Sequence, residues 1–193
     1  MAKILDTIVE QKKLEVAQLR RSGIVLPPQF REQGVAGPRG FRDALLNYSG
    51  VSVIAEVKKA SPSKGVISPD FNPVKIAKNY QQKGAQAISV LTDVEFFRGA
   101  LLYMMQVRQT VEMPVLRKDF IIDERQINES SAHGADCILL IAAILEVTQL
   151  QEYQACAMEL GMDVLVEVHD EGETEMALEA GSNLIGVNNR NLK

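Results

Sequence analysis

Two amines, two carboxylates and an amide stand at matching stations along this chain. Glu56 and Lys58 close the apolar run that begins at Val53, Lys118 closes Met113–Lys118, Glu167 lies near the end of Leu160–Val168, and Asn188 closes Ala180–Asn188. Side chains alternate across a strand, so Glu56 and Lys58 share one face while Val53, Ala55 and Val57 share the other. Lysines and carboxylates that converge on a partly dry pocket suit general acid–base work on a small polar substrate. A neighbouring cation and partial desolvation both make a lysine release its proton more readily, and burial keeps a carboxyl protonated. Lys58 and Lys118 are expected to act on each other in the first way. Glu167, flanked by Val166 and Val168, is expected to respond in the second.

The elements that must carry these residues form a repeat. A helix-like polar stretch, a glycine and a short apolar strand recur in Lys83–Thr92, His133–Ile141, Leu160–Val168 and Ala180–Asn188. Glycine suits the end of a helix because it enters the left-handed region without steric cost. Nearly continuous apolar strands are those of a parallel sheet covered on its outer face. With Val51–Val57 and Met113–Lys118 there are six strands. Pro73–Gln82, Glu146–Leu160 and Glu171–Ala180 show helical spacing between them. Two further helices, Lys3–Arg21 and Phe41–Asn47, precede the first strand.

Alternation alone fits either a doubly wound sheet or a barrel. A dinucleotide fold needs a Gly-rich turn straight after its first strand, and Ser61–Pro69 is too long and proline-rich for one. Polar residues gathered at the C-terminal ends of strands are the mark of the (β/α)8 TIM barrel. The expected fold is therefore α/β, of the (β/α)8 TIM-barrel family, with about six βα units. Residues 1–48 form an N-terminal helical extension and residues 49–193 a partial barrel, in a single domain.

Composition narrows the partners. A net charge of −4 with a pI near 5.3, and no basic stripe with interleaved aromatics, argues against nucleic acid. Lys12, Lys13, Arg20 and Arg21 alternate with acids and suggest a solvated helix face. Cys137 and Cys156 have no metal-ligand spacing and fit packing roles in a reducing cytoplasm. No run approaches the ~18 apolar residues of a membrane span, and charges interrupt the N-terminus from Asp6 onward.

Five strand-end motifs make the chemistry specific. They are Glu56-Val-Lys58-Lys-Ala-Ser61-Pro-Ser63, Ser89-Val-Leu-Thr92 with Phe97-Arg-Gly99, Leu116-Arg-Lys118-Asp-Phe120, Leu165-Val-Glu167-Val-His169 and Gly186-Val-Asn188-Asn-Arg190. In order and over essentially the whole chain, they resemble indole-3-glycerol phosphate synthase. Ile4–Ile8 and Phe41–Leu45 are similar to that family's extension. The resemblance implies a lyase of tryptophan biosynthesis that works without cofactor or metal. It converts 1-(2-carboxyphenylamino)-1-deoxyribulose 5-phosphate to indole-3-glycerol phosphate, CO2 and water. It implies that Lys118 is the general acid at the ketone oxygen and Glu167 the acid–base group of the dehydration. Lys58 would sit by the substrate carboxylate and the reacting oxygen, with Glu56 and Asn188 orienting these groups. Ser61 and Arg190 would bind polar parts of the substrate, and Phe97 and Phe120 would line an aromatic pocket. Taken singly, each charged residue reads as readily as a structural ion pair; as a set they do not. Arg190 fits a loop cap equally well, and His169 fits a hydrogen-bonded rim residue as well as a catalyst.

The pattern departs from the family at Lys193, just past the sixth strand. A complete barrel takes about 250 residues, and its last two βα units usually supply a phosphate site. Three readings follow. The chain is part of a longer active synthase; or it is a non-catalytic partial barrel that works, and self-associates, through open sheet edges; or it is another sugar-phosphate barrel enzyme such as phosphoribosylanthranilate isomerase. The Lys118 and Glu167 pairing with Glu56-Val-Lys58 disfavours the third.

Overall fold

Six parallel strands in sequential order carry Glu56, Lys118 and Glu167 and lead directly into Lys58 and Asn188. A computed structural model describes residues 2–31 and 34–189, so Arg190 lies outside the described residues. In chain order, β1 is Ile54–Val57, followed by a small antiparallel pair, β2 (Ala60–Ser61) and β3 (Gly65–Val66). Then come β4 (Ala87–Leu91), β5 (Val115–Lys118), β6 (Cys137–Ile141), β7 (Asp163–Val168) and β8 (Ile185–Val187). The main sheet runs β1-β4-β5-β6-β7-β8 with every neighbouring pair parallel. Strand order never reverses, so no doubly wound switch point exists in this sheet. It is a curled, incomplete (β/α)8 barrel.

Helices α4 (Pro73–Gln82), α5 (Leu101–Thr110), α6 (Glu124–Ala132), α7 (Val147–Glu159) and α8 (Glu171–Glu179) cross between successive strands. They cover one face, where Val57, Ile88, Val90, Val115, Ile138, Leu140, Val164 and Val166 pack against Ala77, Met104, Ile127, Leu150 and Ala177. The alternate residues point inward, where Leu116, Cys137, Leu139 and Ile141 meet Phe41, Ile54 and Leu165. Each fully buried Val, Leu or Ile contributes about 1.5–3 kcal/mol, which is why both faces are largely apolar away from the strand ends. The repeat glycines Gly84, Gly134, Gly161 and Gly181 all take positive φ, from 75° to 82°, where the helices end.

Several details differ from expectation. The first strand starts at Ile54, and Val51 and Val53 are exposed; among the described residues β1 pairs with β4 alone. The loop after it folds into the β2–β3 pair, turned by Gly65 at φ 62°. Helix α6 opens with a capping box in which Asp123 and Gln126 satisfy each other's ends, a signal already present in the sequence.

The N-terminal extension comprises α1 (Ala2–Ser22), α2 (Pro28–Arg31) and α3 (Phe41–Leu46). Carboxylates at the amino ends of the strands hold it. Asp136 accepts from the Arg39 and Val115 backbone N–H groups at 2.8 and 2.7 Å, and Asp163 accepts from the Arg42 N–H at 2.9 Å. Arg108 pairs with Asp136 at 2.9 Å and also donates to the Gly37 carbonyl. Phe41, fully buried, then plugs the inner end of the barrel. Burial pushes the Asp136 carboxyl up, against the pull of these donors. Asp136→Ala leaves the Arg108 guanidinium and two backbone donors without this carboxylate. It should lower unfolding free energy by about 3–5 kcal/mol, read as a shift in urea midpoint, while Asp136→Asn, which keeps an acceptor, should cost less.

Candidate active site

A cavity of about 810 Å³ opens at the C-terminal ends of the strands. Glu56, Lys58, Ser61, Phe97, Lys118, Phe120, Glu167 and Asn188 all line it. Period-two alternation explains their convergence. Glu56 stands opposite Ser89, Leu91 opposite Lys118, Ile141 opposite Glu167, and Glu167 opposite Gly186, so inward-facing residues of every strand reach one rim.

The charged groups form a chain around that rim. Glu56 ion-pairs with Lys58 through Oε1, while its Oε2 lies 3.4 Å from Lys118 Nζ. Lys118 Nζ lies 3.8 Å from Glu167 Oε2, and Asn188 Nδ2 donates to Glu167 Oε1 at 3.0 Å. The two lysines therefore share one carboxylate. Burial works against ionising Glu56, but the Lys58 hydrogen bond and the Lys118 and Lys58 charges outweigh it and hold its pKa below the usual range.

The aromatic wall is positioned by the turn after β4. Asp93 Oδ1 accepts from the Phe96 and Phe97 backbone N–H groups at 2.7 and 3.1 Å. Gly99 closes the turn, and a Cβ there would lie 2.3 Å from the Leu91 carbonyl oxygen, so the position requires glycine. Phe97 and Phe120 then face each other with ring centroids 6.0 Å apart. Ser61 is buried on β2, and its neighbours Pro62 and Ser63 also line the cavity.

Lys12 overturns the expectation of a solvated α1 face. It is 1% exposed, and its ammonium sits 2.8 Å from each of Asp93 Oδ2, Asp119 Oδ1 and Glu15 Oε2. Ile8, Lys12 and Val16 share one helix stripe at a spacing of four, and all three are buried. That stripe was the available signal: a lysine in line with apolar neighbours. Asp119 also pairs with Arg117 at 3.2 Å and accepts from the Thr92 hydroxyl at 2.5 Å. Arg117 reaches on to Glu129 of α6 at 3.0 Å. Burial opposes both charges, yet Asp119 and Asp93 hold Lys12 above the ordinary lysine range. Arg117 and Lys12 hold Asp119 well below the ordinary carboxylate range. The network seats α1 so that Ile4, Leu5 and Ile8 form part of the cavity wall.

His169 and Glu173, outside the predicted set, stand beside Glu167. His169 Nε2 is 3.8 Å from Glu167 Oε1 and Nδ1 is 3.1 Å from Glu173 Oε2. His133 caps α6, with Nδ1 at 2.8 Å from the Glu129 carbonyl oxygen. Among the described residues no group of three or more His, Cys, Asp or Glu is arranged to hold a metal ion, and no helix is long and apolar enough to cross a membrane.

A curled parallel βα sheet with lysines and carboxylates collected at its carboxyl rim defines a barrel-type enzyme built for acid–base chemistry. The sequence profile of one such family, indole-3-glycerol phosphate synthase, matches residues 5–193, and the chain belongs to that family. It is 65% identical over its whole length to the indole-3-glycerol phosphate synthase of Desulfotalea psychrophila. The enzymes of the same name from Chlorobium phaeovibrioides and Acetivibrio thermocellus are 53% and 50% identical, over 99% and 98% of this chain. The alignments span 74% of each of these three relatives. Among solved structures, the carboxyl transferase domain of Rhizobium etli pyruvate carboxylase superposes with a TM-score of 0.50 at 13% identity, over 78% of this chain and 32% of that one. That likeness concerns the fold alone.

Lys12→Met leaves two buried carboxylates short of a cation and should lower stability by about 3–5 kcal/mol. Asp119 is depressed, so its contribution is complete above the unfolded value of ~3.9 and is lost as pH falls through its lower folded value. Lys12 is raised, so its contribution is complete below ~10.4 and is lost as pH rises through its folded value. Denaturation across pH should show the largest gap between wild type and variant within that window.

Proposed function

We propose that this chain carries the acid–base site that closes the indole ring, turning 1-(2-carboxyphenylamino)-1-deoxyribulose 5-phosphate into indole-3-glycerol phosphate, CO2 and water. The observation that carries the reading is the placement of Lys118 Nζ between Glu56 Oε2 at 3.4 Å and Glu167 Oε2 at 3.8 Å, inside the cavity. Lys118 protonates the ketone oxygen as the aromatic ring carbon attacks the ketone carbon. Loss of CO2 restores the aromatic ring, and Glu167 then serves as acid–base group while the hydroxyl departs as water. Lys58 holds the substrate carboxylate and lies near the reacting oxygen. Glu56 orients both lysines, and Asn188 orients Glu167 through its 3.0 Å hydrogen bond. Phe97 and Phe120 flank the aromatic ring, while Ser61 and Arg190 bind polar groups of the substrate. Ring closure, loss of CO2 and loss of water need only acid–base assistance on this reading, so it includes no cofactor. We place the protein in the cytoplasm, with Cys137 and Cys156 as free thiols.

A kinetic series tests the roles. Lys118→Ala and Glu167→Gln should each lower kcat by about 10²–10⁴-fold while leaving binding of a substrate analogue largely intact. Near-normal turnover in both would make these residues structural ion pairs.

A second reading, that the chain also works through its sheet edges, has its own support. β1 and β8 each have a strand partner on one side among the described residues, and the apolar side chains Val51, Val53 and Val187 are exposed there. Unpaired N–H and C=O rows on apolar edges attract another strand. The 193-residue chain should therefore sediment as a dimer or larger species, and a well-behaved monomer would count against it.

A further inference from the structure

We propose that His169 and Glu173 form the inlet through which the site takes up the proton that each turnover consumes. This deepens the reading above and rests on Glu167 as the acid–base group. The substrate's carboxylate leaves as CO2 and its keto oxygen leaves as water. With that carboxylate ionised, atoms and charge balance only if one proton enters from solvent per turnover. Lys118, Glu56 and Glu167 can pass protons among themselves, but such exchange creates no net supply.

His169 stands where that supply must enter. It follows the end of β7, lines the cavity, and its side chain is 15% exposed. Glu173 Oε2 accepts from the His169 backbone N–H at 2.8 Å and lies 3.1 Å from Nδ1. Glu173 is itself fixed in the first turn of α8, where its backbone N–H donates to the Asp170 cap at 2.9 Å. A carboxylate on the Nδ1 side keeps a proton there and leaves Nε2 as the exchanging nitrogen. Nε2 lies 3.8 Å from Glu167 Oε1, a gap that one water or a small rotation closes. Among the described residues, Glu167 on β7 and Glu173 on α8 are the carboxylates within 4.0 Å of the ring. Capping of α8 explains the bond from Glu173 to the backbone N–H. It does not explain an imidazole whose second nitrogen faces Glu167.

The step balances simply. When His169 is protonated on both nitrogens, the Nε2–H bond breaks and an O–H bond forms at Glu167 Oε1. The ring is left neutral, with its remaining proton on Nδ1 facing Glu173. Solvent at the rim then reprotonates Nε2.

Two readouts test this, and the first needs no turnover. The chain has two histidines, so imidazole ¹⁵N spectra are assigned by comparing wild type with His169→Ala. Neutral His169 should be mainly the Nδ1–H tautomer, which free imidazole side chains disfavour, and Glu173→Ala should return it to Nε2–H. In turnover, His169→Ala should lower kcat by about 10-fold or more with KM little changed, and added imidazole should restore part of the loss. Nε2–H as the main wild-type tautomer, or an unchanged kcat in His169→Ala, overturns the inlet. If Lys118→Ala is dead while His169→Ala is normal, the inlet fails and the synthase reading stands; if both are normal, the synthase reading fails with it.

Discussion

An ammonium taken out of water must be met by anions, and the meeting of Lys12 with Asp93, Asp119 and Glu15 is the interaction around which the mouth is organised. Desolvation of a buried ion costs several kcal/mol unless close partners offset it. Asp93 lies two residues past the end of β4 and Asp119 one residue past the end of β5, so the helix that brings Lys12 is fixed to two strand ends at once. The same two aspartates do more than neutralise. Asp93 turns the backbone that presents Phe97, and Asp119 lies next in sequence to the amine proposed as the acid. A small displacement of α1 would therefore be felt by both the apolar wall and the proton donor.

The sheet divides its polar labour by direction. At the amino ends, Asp136 and Asp163 accept N–H groups from the segment that crosses beneath the barrel. At the carboxyl ends, the polar residues face an open cavity and find their partners among one another. Between the two rims both faces are largely apolar, and the buried Arg117 of β5 is paired with Asp119 and Glu129. An isolated polar group there would lose its water without gaining a partner.

Much of this was legible in the sequence for a physical reason. Period-two alternation fixes which face Glu56, Lys58, Lys118 and Glu167 occupy, and a parallel order of strands brings those faces together. Residues whose positions follow from local periodicity were found. Lys12 was not, because its burial depends on Asp93 and Asp119, some 80 and 107 residues away, and acids near it in sequence imitate a solvated face. His169 was visible but undecided, since its meaning rests on Glu173 from the next helix. The β2–β3 pair escaped notice because a two-residue strand has no period to detect. That Glu56 bridges Lys58 and Lys118 was not legible, because alternation predicts the face a carboxylate occupies and not the gap it fills.

The bridging position of Glu56 has a consequence for how a ligand comes and goes. This side chain already pairs with the cations that an incoming carboxylate would claim. Binding on the proposed reading is then an exchange of one anion for another, with a smaller net gain than an unguarded pair of lysines would offer. Once decarboxylation has erased the visitor's negative group, the resident acid is free to swing back.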